Sequence, residues 1–168
     1  MINPFAISRN MHLLNHVMMD LKDILVSALL QEKGNSVYCT SADSTVEAAV
    51  ADMNRRRIGS LMVMDAGYVV GILTERDVLT RVVAAELDPK TTSVRSVMTV
   101  RFQSISYDAP IEEAMHMMKE YRIRHLPVFD ESRLLGVLSI GDFNSWLLKM
   151  NEIEADNLRR YMFEAYPC

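Results

Sequence analysis

The sequence predicts an α+β protein made of two similar units in tandem, each with the order strand, helix, strand, strand, helix. Three observations indicate this. Residues 37–82 align with residues 102–147 without a gap, and 13 of the 46 aligned positions are identical. Each copy has two short apolar runs joined by an acidic turn, "DAG" in one and "DES" in the other, which is typical of a β-hairpin. Apolar residues also recur at helical spacing before and after each hairpin.

The elements follow in the same order in both copies. A helix in "DLKDILVSALLQEKG" is expected to end at Gly34. The first strand of copy one, "SVYC", places Cys39 in an apolar run, so we expect that cysteine in the core. The first helix of copy one begins at "STVE", where Ser44 and Glu47 have the spacing of a capping box. In copy two, Asp108 is expected to cap the helix and Pro110 to lie in its first turn.

The ends of the repeats give the domain division. The linker "AAELDPKTTSV" contains Pro89 as a helix breaker. Apolar residues continue at helical spacing from Phe143 past Met150, which predicts a long last helix that extends beyond the second unit. We therefore divide the chain into an N-terminal segment and helix, a first unit, a second unit and a C-terminal helical extension, at residues 1–34, 35–88, 89–150 and 151–168.

Composition excludes several classes of protein. The 168 residues are 49% hydrophobic and 24% charged, with a net charge of −4. This favours a globular domain and argues against a dedicated nucleic-acid binder, which usually has a basic face. No apolar run has the length of a membrane span. Two cysteines make no disulfide framework and fit a reducing compartment, so we expect a cytoplasmic location. An organelle-targeting reading of the first 20 residues is the alternative, because they contain Arg9 and no acid before Asp20.

The most informative stretches are "GILTERD" at 71–77 and "GVLSIGD" at 136–142. Each ends a strand with a hydroxyl residue and places an aspartate three positions later. A carboxylate can accept hydrogen bonds from both hydroxyls of a ribose, and a hydroxyl before a helix can meet a phosphate. Thr74 with Asp77, and Ser139 with Asp142, are therefore candidate ribose-phosphate sites. The alternative is that both pairs only cap helices.

Both copies resemble CBS domains, the units named after cystathionine beta-synthase. The resemblance rests on the two motifs above and on "IGSLMV" and "IRHLPV", which match the family's preceding strand. It covers about residues 22–150, and it is greatest with stand-alone CBS-pair proteins of bacteria and plants. It implies a pair of CBS domains (a Bateman module) related by pseudo-two-fold symmetry, with flanking N- and C-terminal helices.

The resemblance also implies two clefts, each built from both copies. In the first, the residues would be Thr74, Arg76, Asp77, Thr99, Gln103, Ile123 and Arg124. In the second, they would be Ser139, Gly141, Asp142, Arg124, His125, Tyr38, Ile58, Gly59 and Ser60. Arg76 in one motif and Gly141 in the other are the main difference, so we expect two unequal sites.

These implications lead to a functional hypothesis. No catalytic constellation is apparent, and His12 and His16 lack a third metal ligand nearby. We therefore expect a non-enzymatic regulatory module that requires no cofactor and senses an adenosine ligand. AMP is the first choice, followed by ATP, ADP, NAD(H) or S-adenosylmethionine. It would act as a homodimer on an unidentified protein target, with no nucleic-acid or membrane partner. The alternatives are a CBS-pair scaffold with empty clefts and, least favoured, an enzyme.

Overall fold

The computed structural model describes residues 23–34 and 36–165. The elements in chain order are α1 (Val26–Lys33), β1 (Cys39–Ser41), α2 (Val46–Arg56), β2 (Ser60–Asp65), β3 (Tyr68–Thr74), α3 (Glu75–Val78), α4 (Val94–Val97), β4 (Ile105–Ser106), α5 (Ile111–Glu120), β5 (His125–Asp130), β6 (Arg133–Ser139) and α6 (Ile140–Ala165). A π-helical segment, Leu79–Val83, continues α3. The predicted α+β order is confirmed in both repeats. His12 and His16 lie outside the described residues.

Each repeat forms a three-stranded mixed sheet. The first sheet has the order β1-β2-β3 and the second has the order β4-β5-β6. In each, the first strand pairs in parallel with the second, which pairs antiparallel with the third. Both predicted hairpins are therefore confirmed. A β-bulge lies between Val63 and Met64 and again between Val128 and Phe129, so the repeat extends to the irregularities of the sheet.

Each repeat builds its own hydrophobic core, and each core is completed by a helix from outside that repeat. Val94 and Val97 of α4 are buried in the core of the first repeat. Leu29 and Leu30 of α1 are buried in the core of the second. The backbone hydrogen bonds agree with this arrangement, since Val94 N donates to Ser44 O and Val26 N donates to Ala109 O, each at a distance of 2.8 Å. Helices α1 and α4 therefore cross to opposite repeats.

Three local predictions were wrong. Thr45, not Ser44, caps α2, and its hydroxyl accepts from Ala48 N, because the helix begins one residue later than expected. Pro110 is the N-cap of α5, so it precedes the first turn. Asp108 does not cap that helix, because the N-cap position is taken by proline and no side chain makes a capping hydrogen bond there.

Cys39 is exposed. It lies on β1, an edge strand of only three residues whose side chains alternate between exposed and half-buried. The apolar run in the sequence therefore marks a strand edge and not the core.

The ends of the helices agree better with expectation. Gly34 is the C-cap of α1, and α6 runs to Ala165, well past Met150. Arg55 and Arg56 lie in the last turn of α2, where their charges complement the helix dipole. Among residues 23–34 and 36–165, no helix combines the length and the apolar character that a membrane crossing requires.

Candidate functional site

The hydroxyl–aspartate motif closes the junction between strand and helix in both repeats. Thr74 and Asp77 form a reciprocal capping box at the start of α3. Asp77 Oδ2 accepts from Thr74 N at 2.9 Å and from Thr74 Oγ1 at 2.6 Å. In the second repeat, Asp142 Oδ2 accepts from Ser139 N and Ser139 Oγ, both at 2.6 Å. The capping alternative is therefore seen in both motifs, and any ligand contact would be additional to it.

The first cleft lies where the third strand of repeat one faces the second repeat. It has a volume of about 630 Å³, which falls within the range of small-molecule sites. All seven residues predicted for it line its walls: Thr74, Arg76, Asp77, Thr99, Gln103, Ile123 and Arg124. The motifs did not indicate the other residues that line it, namely Ile72, Glu75, Leu79, Thr80, Arg81, Arg101, Phe102, Tyr121 and Pro127.

The first cleft is rich in guanidinium groups. Arg76, Arg81, Arg101 and Arg124 line it, against the carboxylates of Glu75 and Asp77. Asp77 is only 6% exposed, and Arg81 Nη1 lies 3.3 Å from its Oδ1. Because Arg81 is paired with Asp77, the three remaining arginines of the cleft outnumber its one remaining carboxylate, Glu75. A polyanionic group such as a phosphate would therefore have several guanidinium partners.

Thr99 belongs to the same constellation because it crosses over β3. Its backbone pairs with Ile72 in both directions, with Ile72 N donating at 3.0 Å and Thr99 N donating at 2.8 Å. Its hydroxyl donates to Asp77 Oδ1 at 2.9 Å. Gly71 makes this crossing possible, since a Cβ there would lie 2.8 Å from Met98 Sδ and 3.0 Å from Thr99 O.

The second cleft has a volume of about 530 Å³ and is also built from both repeats. Six of the predicted residues line it: Ile58, Gly59, Arg124, His125, Ser139 and Gly141. Three do not. Tyr38 instead lies under the guanidinium of Arg56, 4.7 Å from the ring centre. Ser60 and Asp142 are likewise absent from the walls of this cavity.

Asp142 forms an ion pair with Lys33, a residue outside both motifs. Lys33 Nζ lies 2.6 Å from Asp142 Oδ2 and donates to Val137 O at 2.6 Å. Burial alone would raise the pKa of Asp142, but the hydrogen bonds from Lys33 and Ser139 hold it below its ordinary value. The signal in the sequence was a lysine in the last turn before Gly34, and nothing local indicated its partner 109 positions away.

The two clefts share a wall formed by Gly59, Glu75, Arg124 and His125. Burial lowers the pKa of His125, and the Glu75 carboxylate opposes this by raising it; the net result lies below the ordinary histidine value. The imidazole is therefore neutral near pH 7. Within the described residues, no three His, Cys, Asp or Glu side chains come together as a metal site.

Comparison with known proteins gives a consistent family assignment. Residues 33–84 and 94–149 each match the sequence profile of the CBS domain. The chain is 30% identical over 151 residues to the mitochondrial CBS domain-containing protein CBSX3 of Arabidopsis thaliana, covering 87% of this chain and 73% of that protein.

Solved structures have the same fold. A proposed signal-transduction protein with CBS domains from Burkholderia ambifaria MC40-6 superposes with a TM-score of 0.72 and 33% identity, over 75% of this chain and 95% of that one. A hexameric CBS-CP12 protein from bloom-forming cyanobacteria superposes with a TM-score of 0.65 and 25% identity, over 84% of this chain and 87% of that one.

Proposed function

We propose that this chain, which belongs to the CBS-domain family, is a regulatory module that binds an adenosine nucleotide in its first cleft. AMP is the ligand we favour, and ADP, ATP, NAD(H) and S-adenosylmethionine are the ligands to compare with it. The observation that carries the proposal is the first cleft itself. It holds Thr74 and Asp77 from one repeat, with Ile123 and Arg124 from the other, around about 630 Å³ of space.

The chemistry of this cleft suits a nucleoside phosphate. The guanidinium groups of Arg76, Arg101 and Arg124 would bind the phosphate. Asp77 Oδ1, which accepts from the Thr99 hydroxyl, would exchange that neutral donor for a ribose hydroxyl. Ile72, Ile123 and Pro127 supply apolar surface for the base. No nucleophile or metal is part of this account, so the proposed role is binding and not catalysis.

Ligand binding would change the arrangement of the two repeats, because the first cleft is built from both of them. Arg76 Nη1 donates to Arg122 O at 2.9 Å across the repeat boundary. A phosphate that pairs with Arg76 and Arg124 would join the repeats by a second, charged connection and favour one relative arrangement. Self-association is also part of the proposal, and the hexameric cyanobacterial relative supports it. We propose a homodimer as the assembly of this chain. The proposed location is cytoplasmic, although the plant relative is mitochondrial.

Titration calorimetry with AMP, ADP, ATP, NAD(H) and S-adenosylmethionine tests the proposal. We expect AMP to bind, with an affinity that falls as salt is raised because guanidinium–phosphate contacts contribute to it. Light scattering with and without AMP would report any change in assembly. If none of the five ligands binds a chain that is folded and assembled, the sensor proposal fails.

The second candidate is a scaffold with unoccupied clefts. One observation favours it, since among the described residues no buried side-chain nitrogen or oxygen lacks a hydrogen-bond partner. Asp77 and Asp142 are both satisfied without a ligand. The same titration decides between the two, because a scaffold would assemble equally well in every nucleotide and would bind none.

A further inference from the structure

Lys33 and Thr99 hold equivalent positions in the two repeats by different chemistry. Thr99 N donates to Ile72 O and the Thr99 hydroxyl donates to Asp77. Ile72 and Asp77 correspond, 65 positions later, to Val137 and Asp142. The single ammonium of Lys33 donates to Val137 O and to Asp142 Oδ2, each at a distance of 2.6 Å.

The difference arises from the length of the crossing helices. Helix α4 ends at Val97, and Met98 and Thr99 continue as extended chain beside β3. Helix α1 is twice as long and continues to Lys33. The Lys33 side chain extends from the last turn of α1 to the sheet of the second repeat. In the first repeat, the extended backbone of Met98 and Thr99 lies at the equivalent place.

The consequence for the two clefts is unequal. Asp77 lines the first cavity, whereas Asp142 does not line the second. The Lys33 and Asp142 side chains are only 30% and 21% exposed, so solvent screens this ion pair less than one on the open surface. Asp77 also has a cation nearby, but Arg81 Nη1 is 3.3 Å away and donates its hydrogen bonds to Val97 O and Met98 O, each at 2.8 Å. A ribose hydroxyl would therefore replace only the neutral hydroxyl of Thr99 at Asp77, which is easier than replacing an ammonium that donates at 2.6 Å to Asp142.

We infer that Lys33 withholds Asp142 from the second cleft, so that the chain binds one nucleoside ligand, in the first cleft, and not two. Lys33 is thus a specificity-determining residue for the repeat pair. This inference rests on the proposed function, because it concerns how many of the two clefts accept a riboside. It predicts that removing one positive charge from α1 increases nucleotide binding, contrary to the usual effect of removing a lysine near a phosphate.

The test is calorimetry with AMP on full-length wild type and on Lys33→Met, which removes the ammonium but keeps an unbranched side chain. We expect one AMP per wild-type chain. In Lys33→Met we expect a second AMP per chain, with affinity at this second site raised about tenfold or more, because a charge-assisted hydrogen bond no longer competes for Asp142. Adding Asp142→Asn to Lys33→Met should remove the new site.

Lys149→Met is the matched control. Lys149 lies 2.6 Å from Glu32, next to Lys33 in the sequence, and its side chain is 54% exposed. The variant makes the same change of charge and breaks a lysine–carboxylate pair between the same two helices, away from Asp142. It should keep one AMP per chain. Thermal unfolding of each variant would confirm that the chains compared are folded.

Every result bears on the inference. A wild type that binds two AMP per chain overturns the inference and leaves the proposed function intact. The same holds if wild type binds one AMP and Lys33→Met still binds one, or binds more weakly. A wild type that binds none and a Lys33→Met that binds one supports the inference and contradicts the assignment of the first cleft. Absence of binding to either protein overturns both.

Discussion

Arg76 and Arg122 are joined by a hydrogen bond across the repeat boundary: the Arg76 guanidinium donates to the Arg122 backbone carbonyl at a distance of 2.9 Å. Arg122 follows α5 and has a left-handed backbone with φ of 52°. It lies between Tyr121 and Ile123, which both line the first cleft. The second motif has Gly141 at the equivalent position, and glycine has no side chain to make such a contact.

The first prediction concerns this arginine. Arg76→Ala should lower the affinity for AMP by about tenfold or more, since a charge-assisted hydrogen bond to a phosphate contributes about 1.5–3 kcal/mol. Calorimetry at one fixed salt concentration would measure the loss. Arg55→Ala is the control, because Arg55 is exposed, pairs with Asp52 on its own helix and lines neither cleft. Equal affinities for wild type and Arg76→Ala would contradict the assignment.

The second prediction separates the two aspartates by stability. Asp77→Asn should cost about 1–3 kcal/mol of unfolding free energy, because Asp77 is buried and its carboxylate accepts from Thr74 and Thr99. Asp142→Asn should cost less, since that carboxylate is more exposed and its partner Lys33 can reach solvent. Urea unfolding of both variants checks the order. The reverse order would mean that the Lys33 ion pair contributes more than the buried capping box.

The third prediction uses the pH dependence of the Lys33–Asp142 pair. The folded pKa of Asp142 lies below its ordinary value because hydrogen bonds from Lys33 and Ser139 outweigh the opposing effect of burial. Its contribution to stability is therefore present above the unfolded pKa and is lost as pH falls through the folded one. The difference in melting temperature between wild type and Lys33→Met should shrink as the pH is lowered from about 5 through the folded pKa of Asp142, which lies below the ordinary carboxylate value of about 4. A constant difference would show that Lys33 stabilises the chain by packing and not by charge.

The fourth prediction concerns His125, which lies in the wall common to both clefts. Burial lowers its pKa in the free protein, and a bound phosphate would raise it by favouring the charged imidazole. On binding AMP at about pH 6, wild type should therefore take up more protons than His125→Asn, a comparison that cancels the proton released by the AMP phosphate, whose second pKa is about 6. At about pH 8, where the imidazole is neutral in both states, the two proteins should not differ. Calorimetry in two buffers of different ionisation enthalpy measures this uptake. Equal proton exchange in wild type and His125→Asn at about pH 6 would assign the proton to another group.

The fifth prediction concerns the crossing of Thr99 over β3. Gly71→Ala should destabilise the fold by about 1–3 kcal/mol, the usual cost of overpacking. The new Cβ would lie 3.0 Å from the Thr99 carbonyl oxygen, which is backbone and cannot rotate away. Gly141→Ala is the matched control, because there the nearest atom is Ser139 Oγ at 3.5 Å, an ordinary contact. Chemical denaturation compares them, and equal stabilities would show that the crossing segment adjusts freely.

The repeat made most of the fold predictable. Two copies with glycine, acid and apolar positions in phase define the same strands and helices twice, so an error in one copy is corrected by the other. The strand edges and helix starts were harder to predict. Cys39 and Ser44 lie where a shift of one or two residues changes burial or capping, and such shifts cost little free energy.

The candidate site was also predictable only in part: contacts between residues near in sequence could be predicted, and contacts between residues far apart in sequence could not. Thr74 and Asp77 are close in sequence, and the local spacing of the motif places them together. Lys33 and Asp142 are separated by 109 positions and meet only because α1 packs against the second repeat. Helix α1 precedes residue 37, where the gap-free repeat begins, so the repeat in the sequence does not indicate that the first repeat uses Thr99 where the second uses Lys33.

The exchange of helices has a consequence for how this chain can be divided. The helix before each sequence repeat covers the core of the other one, so the boundary seen in the sequence is not a boundary of independent folding. A fragment that begins after Gly34 would contain the whole second repeat and still lose Leu29 and Leu30 from its core. A fragment that ends before Val94 would likewise leave the first core open, despite an intact first repeat. The two repeats are therefore interlocked, and neither sequence repeat contains all the residues of its own core.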